Sequence, residues 1–596
     1  MATSVTSAKT GLITYTVTVE GKQLPGSYKI LSIRVSKAIN KIPFARISFI
    51  DGNSASPDSF KVGNSTDIEP GKKIEIKAGY NSKEETIFKG IITKNNLRIN
   101  SQGESSISVE AKDEAVKMTM GRKNNVYVDK KDSDVMKEII SNHVLQKDIK
   151  ETSTAHNELV QYYCNDWDFI LMRSEVNGMI VIADDGKITI SEPDPSQSAI
   201  LSVGYGTGLF SFNADIDVRT QLSKVEATAW DRNEQATVKS TASSAKETST
   251  GAPTTKKLDD VINSKDFSLQ SNAHLSKNVL DDWAKGKLIK SYLSKVQGKA
   301  KFYGNSKAKP GTTIEFSGLS KQFNGNAYIG AVEHIIEDGG WYTEVQLGLN
   351  FDWVSEEIEN IDAPPASGLL PPIKGLTTAI VKQIHEDKEG QYRVAITIPS
   401  LEKDNQPLWA RLTNMYASND YGVFFYPEIG DEVIVGFVNE DPTDPIILGS
   451  VHSKKNPPPY VPDEENPIKG FVTKSKLKIT FDDKDKILTI ETPGENTFIL
   501  DDKDGSITLE DKNKNKVYMS SSGIELSSDK DISLEAKGKI TLKATSNIEL
   551  EATGDLKQEG MQVAIKGKAK FAAEGAMAEL KGSGQTTIKG GIVMIN

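Results

Sequence analysis

An eight-residue repeat near the C-terminus constrains the fold of this chain most. From position 524 the sequence reads IELSSDKD, ISLEAKGK, ITLKATSN, IELEATGD and LKQEG. Side chains alternate between the two faces of a strand, so the first, third and fifth positions of each repeat share one face. The first position is Ile or Leu, the third is Leu until Gln558, and the fifth is small. Each octad therefore predicts one short strand followed by a corner.

One copy of the chain cannot bury such a narrow apolar stripe, so the repeats must stack. Because all the repeats present the same face, three chains closing a triangular prism are favoured over a single-chain solenoid. Exposed meander hairpins are disfavoured, since the turns lack the Asn-Gly or Asp-Gly pairs that hairpins prefer. The predicted core of this trimeric needle is Ile524, Leu526, Ile532, Leu534, Ile540, Leu542, Ile548, Leu550, Leu556 and Gln558.

Length and composition exclude several classes of protein. A chain of 596 residues can form several domains, and its net charge of −10 makes nucleic acid or an anionic membrane an unexpected partner. The single cysteine, Cys164, excludes an intrachain disulfide framework. The N-terminal stretch lacks a basic region followed by an apolar core, and no apolar run approaches ~18 residues. We therefore expect no secretory signal and no stable membrane insertion.

The first 365 residues predict a β-rich base in two halves with helices between them. Short alternating segments separated by turn residues occupy positions 10–118 and suggest a barrel. Helical spacing follows at 133–146, with Ser133 as the expected N-cap, and at 166–176. A second β run begins near 210, and another helix is expected at 276–293.

Prolines divide the rest of the chain. Pro364, Pro365, Pro371 and Pro372 mark a stiff boundary after the base. Residues 366–455 contain about six strand patterns, one of them at 421–425, enough for a small barrel of the OB type. A proline-rich linker is expected at 456–470, and the octad-repeat β-helix spike at 471–596.

The predicted barrel resembles the OB domain of VgrG spike proteins. That family has a W-A-R run, an aromatic-rich stretch, P-x-x-G-D-E-V-x-V-x-F, D-P-x-x-P and G-x-V, all in this order here. The matching residues, to which we assign structural roles, include Trp409, Arg411, Pro427, Gly430, Asp431, Glu432, Phe437, Asp441, Pro445 and Gly449. Residues 165–178 and 309–334 resemble the hub of the same family, and 588–596 resemble the end of its spikes.

The resemblance implies a mainly β, multidomain homotrimer. It has phage-hub-like β-barrels with inserted helices, an OB-fold collar and an intertwined trimeric β-helix needle. Such a trimer sits at the tip of a contractile injection system tube, in type VI secretion or in a phage-tail-like extracellular particle. It punctures the target envelope. The implied partners are a hexameric Hcp-like tube protein at the base, a PAAR-type tip protein at the C-terminal end, baseplate proteins and effector cargo.

The resemblance also implies where the protein acts. It would be made and assembled in the bacterial cytoplasm without a signal peptide, and would then become extracellular or be delivered into the target cell. The alternatives left open are a receptor-binding trimeric fibre or adhesin and an envelope-degrading spike enzyme.

We expect no enzymatic activity, no cofactor and no metal. Some phage spikes insert a lysozyme domain between collar and needle, but the interval 453–469 is too short for a domain. The glycine-rich segment 204–208 is interpreted as a hairpin turn, because strand-like sequence flanks it and no helix follows to meet a phosphate. After His452 the sequence has no histidine or cysteine that could hold a soft metal ion at the tip.

Two features of the needle carry specific expectations. Gln558 interrupts the leucine positions, and three copies of it are predicted to meet near the axis and hydrogen-bond there. The alternative is a slip of the register that leaves Gln558 facing solvent. The apolar end of the sequence is predicted to contact a separate tip protein through Ile592, Met594, Ile595 and Asn596.

Overall fold

The structure is a computed structural model of a single chain, and it divides into two compact units, Met1–Val451 and His452–Asn596. It describes residues 2–595 apart from 9–10, 54–55, 57–58, 263–266 and 402–405. Strands dominate both units, which confirms the mainly β class. The domain boundaries expected at 365/366, 455/456 and 470/471 stay predictions.

The first unit begins with alternating strands that have one buried face. In the fourth strand, for example, Ile33 and Val35 are fully buried while Arg34 is exposed. The strands are β1 Thr3–Ser4, β2 Ile13–Val19, β3 Lys22–Gln23, β4 Lys29–Ala38, β5 Phe44–Ile50, β6 Lys73–Tyr80, β7 Lys83–Ile99 and β8 Ser105–Lys112. Their inward side chains form one apolar core with Phe49 and Phe88 at its centre.

A helical subdomain follows. Its elements are β9 Lys123–Lys131, α1 Asp132–Asn142, β10 Gln146–Ile149, β11 Ala155–Cys164, α2 Asp166–Val176, β12 Ile180–Asp184 and β13 Lys187–Ser191. The bounds of α2 are those predicted. Helix α1 differs, because Lys131 occupies the N-cap position without a side-chain bond and Ser133 lies buried inside the helix. It also ends earlier, since Val144 has a φ of 58° and is 92% exposed.

The second half of the base returns to strands. Its elements are β14 Leu201–Gly204, β15 Leu209–Ile216, β16 Val225–Asp231, β17 Ala236–Ala242, α3 Thr255–Ile262, β18 Ser268–Ser271, α4 Lys277–Leu293, β19 Val296–Tyr303, β20 Thr313–Ser317, β21 Gly325–Glu337, β22 Gly340–Leu347 and α5 Val354–Glu357. Helix α4 begins one residue after its predicted start, with the Ser276 side chain accepting from the Val279 amide. The 204–208 segment is a turn, but its flanking strands pair with different partners instead of forming a hairpin.

One sheet joins the two halves of the base. Strand β21 pairs with β4, placing His334 opposite Val35, and the resulting sheet has 14 strands. The strands expected in separate barrels therefore share a continuous hydrogen-bonded ladder. Such sharing makes the base one structural body.

The closed barrel of the first unit lies at the position of the predicted OB domain. Its strands are β23 Thr377–Gln383, β24 Val394–Thr397, β25 Leu408–Leu412, β26 Glu432–Phe437 and β27 Pro445–Ser450, in the order β23-β24-β25-β27-β26. Fully buried Val381, Val394, Ile396, Val433 and Val435 contribute to its core. The strand expected at 421–425 is not formed, because this segment lies outside the barrel ladder in an exposed loop.

The second unit contains a seven-stranded antiparallel meander. Its strands are β28 Ile468–Val472, β29 Lys478–Asp482, β30 Ile487–Glu491, β31 Thr497–Asp501, β32 Ser506–Glu510, β33 Lys516–Ser520 and β34 Gly523–Ser527. Each strand pairs only with its neighbours in sequence. Among the described residues of the whole chain, no helix is long and apolar enough to span a membrane.

A buried carboxylate ties the helical subdomain together. Asp132 at the start of α1 is 2% exposed and accepts from Arg173 Nε at 2.6 Å and Asn177 Nδ2 at 2.9 Å. The Nε2 atom of His156 lies 2.9 Å from the same carboxylate. Burial raises the pKa of Asp132, but hydrogen bonds from His156 and Arg173 outweigh it and hold the pKa well below its usual range. The charge of Asp132 therefore joins α1, α2 and β11.

We predict that Asp132→Asn destabilises this subdomain by about 3 kcal/mol, because Arg173 loses its buried counter-charge. The folded-state pKa of Asp132 is depressed, so its stabilisation is present above about pH 4 and lost as pH falls below that value. Asp132→Asn should therefore show a smaller acid-dependent loss than the wild type. Hydrogen exchange of α1 and α2 in increasing denaturant measures both effects.

Asp134 supplies the matched control. It lies on the same helix with its side chain 50% exposed, and it faces Lys137 at 3.9 Å. Asp134→Asn should change the opening free energy by less than about 0.5 kcal/mol. Equal effects of the two substitutions would contradict the role assigned to Asp132.

Candidate assembly surface

One face of the meander in the second unit is apolar from its first strand to its last. The register places apolar side chains directly opposite one another in two rows that cross the strands. One row is Phe471, Ile479, Ile490, Phe498, Leu509, Val517 and Leu526. The other is Phe481, Leu488, Leu500, Ile507, Met519 and Ile524. We call these two rows the apolar sheet face.

The opposite face of the same sheet is mostly polar. Its central row runs through Thr480, Thr489, Ile499, Thr508 and Tyr518. A sheet with one apolar and one polar face requires a second layer over the apolar side. The polar face is the one that can remain in contact with water.

The apolar sheet face is only partly covered in the single chain. Ile524 is 75% exposed, Leu509 54% and Leu526 53%, and within 452–595 no side chain is fully buried. Fully burying one such side chain contributes about 1.5–3 kcal/mol. The second unit therefore lacks a core of its own, and further copies of the same face can supply one.

The octad stretch is only partly strand in the single chain. Its first repeat forms β34, which pairs with β33 in an antiparallel hairpin. Exposed hairpins were disfavoured for the octads, and that prediction is wrong for the first one. In the described stretch 528–595 no strand is formed, although each octad predicts one. A strand needs a neighbouring backbone to pair with, and one chain places none beside these repeats.

The predicted core positions of the needle are all exposed in the single chain, Gln558 included. Exposure ranges from 49% at Ile532 to 75% at Ile524. The predicted tip residues Ile592, Met594 and Ile595 are 85–87% exposed, and Asn596 lies outside the described residues. The roles of these residues in a trimer core and a tip contact stay predictions.

The OB motif residues lie together on the barrel. Trp409 and Arg411 belong to β25, Glu432 and Phe437 to β26, and Pro445 and Gly449 to β27. Pro427, Gly430, Asp431 and Asp441 lie in the connections.

Two acidic residues of the motif hold turns. Asp431 Oδ2 accepts from the Glu428 amide at 2.9 Å, and Asp441 Oδ1 accepts from the Thr443 amide at 2.8 Å. The hydrogen bonds from the Thr443 side chain and amide lower the pKa of Asp441. These contacts support local turn formation and leave the structural role of the motif as our interpretation.

The base contains an ionic cluster that the sequence did not predict. Lys37 on β4 is 7% exposed and pairs with Asp184 at the end of β12 and with Asp185 in the turn that follows. Lys309 donates to Asp184 at 2.8 Å. The cluster joins residues that are far apart in sequence, so no local pattern indicates it.

Nearby His334 is buried and carries no charge at neutral pH. Burial, together with the nearby charge of Lys37, lowers the pKa of His334 to about 3. Its Nδ1 atom lies 3.1 Å from Thr343 Oγ1. Among the described residues no group of three His, Cys, Asp or Glu side chains could hold a metal ion.

Three family models match successive parts of the chain. Residues 9–338, more than half of the chain, match the Alg8 N-terminal domain. Residues 377–452 match the type VI secretion system/phage-baseplate injector OB domain. Residues 486–595 match the phage baseplate V C-terminal trimerisation domain. The last match contains the octads and strands β30–β34.

Curated relatives are type VI secretion system spike proteins of Pseudomonas aeruginosa. The chain is 28% identical to VgrG1b over 184 residues, which is 28% of this chain and 23% of the relative. It is 32% identical to VgrG1a over 116 residues, 17% of this chain and 18% of the relative. The chain thus spans about a fifth of the length of these relatives.

A further relative is the actin cross-linking toxin VgrG1 of Vibrio cholerae. It is 35% identical over 81 residues, which is 13% of this chain and 7% of the toxin. Because the match covers only 7% of the toxin, it gives no information on cross-linking activity in this chain.

Solved structures show weaker similarity. The E. coli c3393 protein, a type VI secretion component, is 17% identical with a TM-score of 0.35 and covers 73% of this chain and 99% of that one. The MuSo2 prophage 43 kDa tail protein from Shewanella oneidensis is 9% identical with a TM-score of 0.44, covering 57% and 98%. Both scores are below 0.5, so the assignment depends on the family models and the relatives. With an Alg8-type N-terminal domain, an injector OB domain and a baseplate trimerisation domain in succession, this chain belongs to the VgrG family of spike proteins.

Proposed function

We propose that three copies of this chain form the spike at the tip of a contractile injection system tube. The observation that carries this proposal is the apolar sheet face, which lies within and beside the matched trimerisation domain and which one chain leaves open. Three such faces turned toward a common axis would bury one another. The octads that follow would then close as an intertwined prism.

The proposed work of the spike is mechanical. A prism built from short strands has a continuous backbone ladder around its axis and no long free edge, so it resists bending and unfolding under axial force. The base would sit on a hexameric Hcp-like tube protein, and the C-terminal end would receive a PAAR-type tip protein. Baseplate proteins and effector cargo complete the proposed partners. We propose assembly in the bacterial cytoplasm, followed by release or delivery with the particle.

We propose that the chain itself acts without catalysis. The carboxylates and imidazoles described above are engaged in ion pairs and turns, and the interval between barrel and meander holds no folded domain. The proposed contribution to injection is therefore penetration and connection.

Mass and shape of the purified full-length chain test this proposal directly. Light scattering should give about three times the 65.1 kDa of one chain, and electron microscopy should show a rod extending from a wider base. A monomer, or a compact particle without a rod, would contradict it.

Substitutions in one octad test the prism. Ile540→Asp together with Leu542→Asp should abolish the stable trimer, because six carboxylates from three chains would be buried near one layer. Ser533→Asp with Thr541→Asp is the control, since it adds the same charge at outward positions of neighbouring octads. The control should remain a trimer by light scattering. If the Ile540→Asp, Leu542→Asp variant is as stable a trimer as the control variant, the prism is wrong.

Gln558 tests the interior of the prism. Gln558→Glu keeps the size of the side chain but should bring three carboxylates together near the axis, raising their pKa. The melting temperature of the trimer should fall at pH 7 and should recover in acid, where the three introduced carboxylates are protonated. Lys557→Glu, which faces outward in the prism, should show no such recovery. If Gln558→Glu has the melting temperature of the wild type both at pH 7 and in acid, the side chain faces water.

Removal of 591–596 tests the tip. The shortened chain should remain a trimer, because the octads hold it together, but it should no longer bind a PAAR-type tip protein. Thr586→Ser with Thr587→Ser should leave binding unchanged. An isolated wild-type trimer that already ends in a closed, metal-bearing point would refute a separate tip protein.

A further inference from the structure

The OB barrel carries a loop of exposed aromatic side chains that its own core does not use. We call residues 413–426, between β25 and β26, the aromatic finger. Met415 is 84% exposed, Tyr416 57%, Tyr421 62% and Phe424 82%. None of these four belongs to the buried core of the barrel.

The finger is held in shape by its own backbone. Ser418 donates its amide to the Tyr421 carbonyl at 2.9 Å, and Val423 donates to the Tyr416 carbonyl at 2.8 Å. Gly422 permits this close approach, because a Cβ atom there would lie 2.5 Å from the Tyr416 oxygen. The segment between these bonds is therefore a small hairpin.

Both ends of the finger are fixed to the barrel. The Thr413 amide donates to the Ile447 carbonyl at 3.0 Å, and the Tyr426 hydroxyl donates to the Tyr392 carbonyl at 2.8 Å. Ring contacts at 5.8 Å between Tyr416 and Tyr421 and at 5.0 Å between Phe424 and Tyr426 stiffen it further. These contacts hold the four exposed side chains away from the core of their own barrel.

The composition of the finger fits burial against protein. Asp420 is its one charged residue, while aromatic side chains are enriched in the centres of protein interfaces. Rigid aromatic side chains also lose little conformational entropy on binding. A contiguous exposed patch of this kind marks an interaction site.

The position of the trimerisation domain in the sequence indicates that the partner is another copy of this chain. The matched trimerisation domain begins at 486, about 35 residues after β27, so three chains joined there would keep their barrels within reach of one another. Tethering by a short segment gives a neighbouring surface an effective concentration of about millimolar, which makes even weak contacts form. Contacts around a three-fold axis are heterologous, so the finger of one copy meets a different surface of the next, and the third contact closes the ring.

We propose that the aromatic finger packs on the neighbouring copy of this chain and forms a second trimer interface, separate from the needle. This inference depends on the trimeric spike proposed above. The finger then fixes the rotation of the three collars about the axis, while the needle holds the chains together.

Oxidative footprinting of the full-length protein tests the interface. Hydroxyl-radical oxidation of each aromatic residue is measured by mass spectrometry and divided by the rate of the same residue in the denatured chain. Phe424 is 82% exposed in one chain, so burial at an interface should slow its relative oxidation about tenfold. Tyr205, 74% exposed on the base, is the reference and should stay reactive.

Phe424→Ser adds a second measurement. The variant should remain a trimer through its needle, but relative oxidation of Tyr421 should rise severalfold as the contact opens. Tyr205→Ser should leave Tyr421 protected. A wild-type trimer whose finger is as reactive as Tyr205 would overturn this interface and leave the proposed spike standing. A wild-type monomer would overturn both.

Discussion

The structure depends on an apolar sheet face that one chain cannot bury. In the second unit, strands of five residues expose Ile, Leu, Phe, Val and Met side chains on one side and mainly Thr and charged residues on the other. The hydrophobic effect is proportional to the apolar area removed from water, so this face gains stability only when another layer covers it. Identical faces from further copies are the simplest cover, and the matched trimerisation domain agrees with that solution.

The first unit differs because each of its parts buries a core of its own. The early strands enclose Phe49 and Phe88, the helical subdomain encloses Ile139 and Ile170, and the barrel encloses Val381 and Val435. Ionic contacts such as Asp132 with Arg173, and Lys37 with Asp184, connect elements across these cores. A first unit with several buried cores and a second unit without one suit a protein proposed to carry force from a tube to a point.

Patterns of hydrophobic spacing predicted the regular elements well. The bounds of α2 match the prediction, and α4 begins one residue after the predicted start at 276 and ends at the predicted residue. Local signals failed where long-range contacts decide. Ser133 suits an N-cap chemically, but Asp132 is held in the first turn of α1 by Arg173 and Asn177, so the helix begins before Ser133. The stretch 421–425 has strand-like composition, yet its backbone pairs within the aromatic finger and not with the barrel.

The sequence by itself determined the β class, the order of base, barrel and repeat region, and the one-sided stripe of the octads, because each depends on residue type and on a period of two or eight along the chain. Only the tertiary structure decided which strands share a sheet, since the β4–β21 pairing joins positions about 300 residues apart. It also decided that the repeats begin as a hairpin at β34, and that the finger holds its aromatic side chains outward. The physical reason is the same in each case: backbone pairing and burial depend on which segments meet in space, and no local pattern records that.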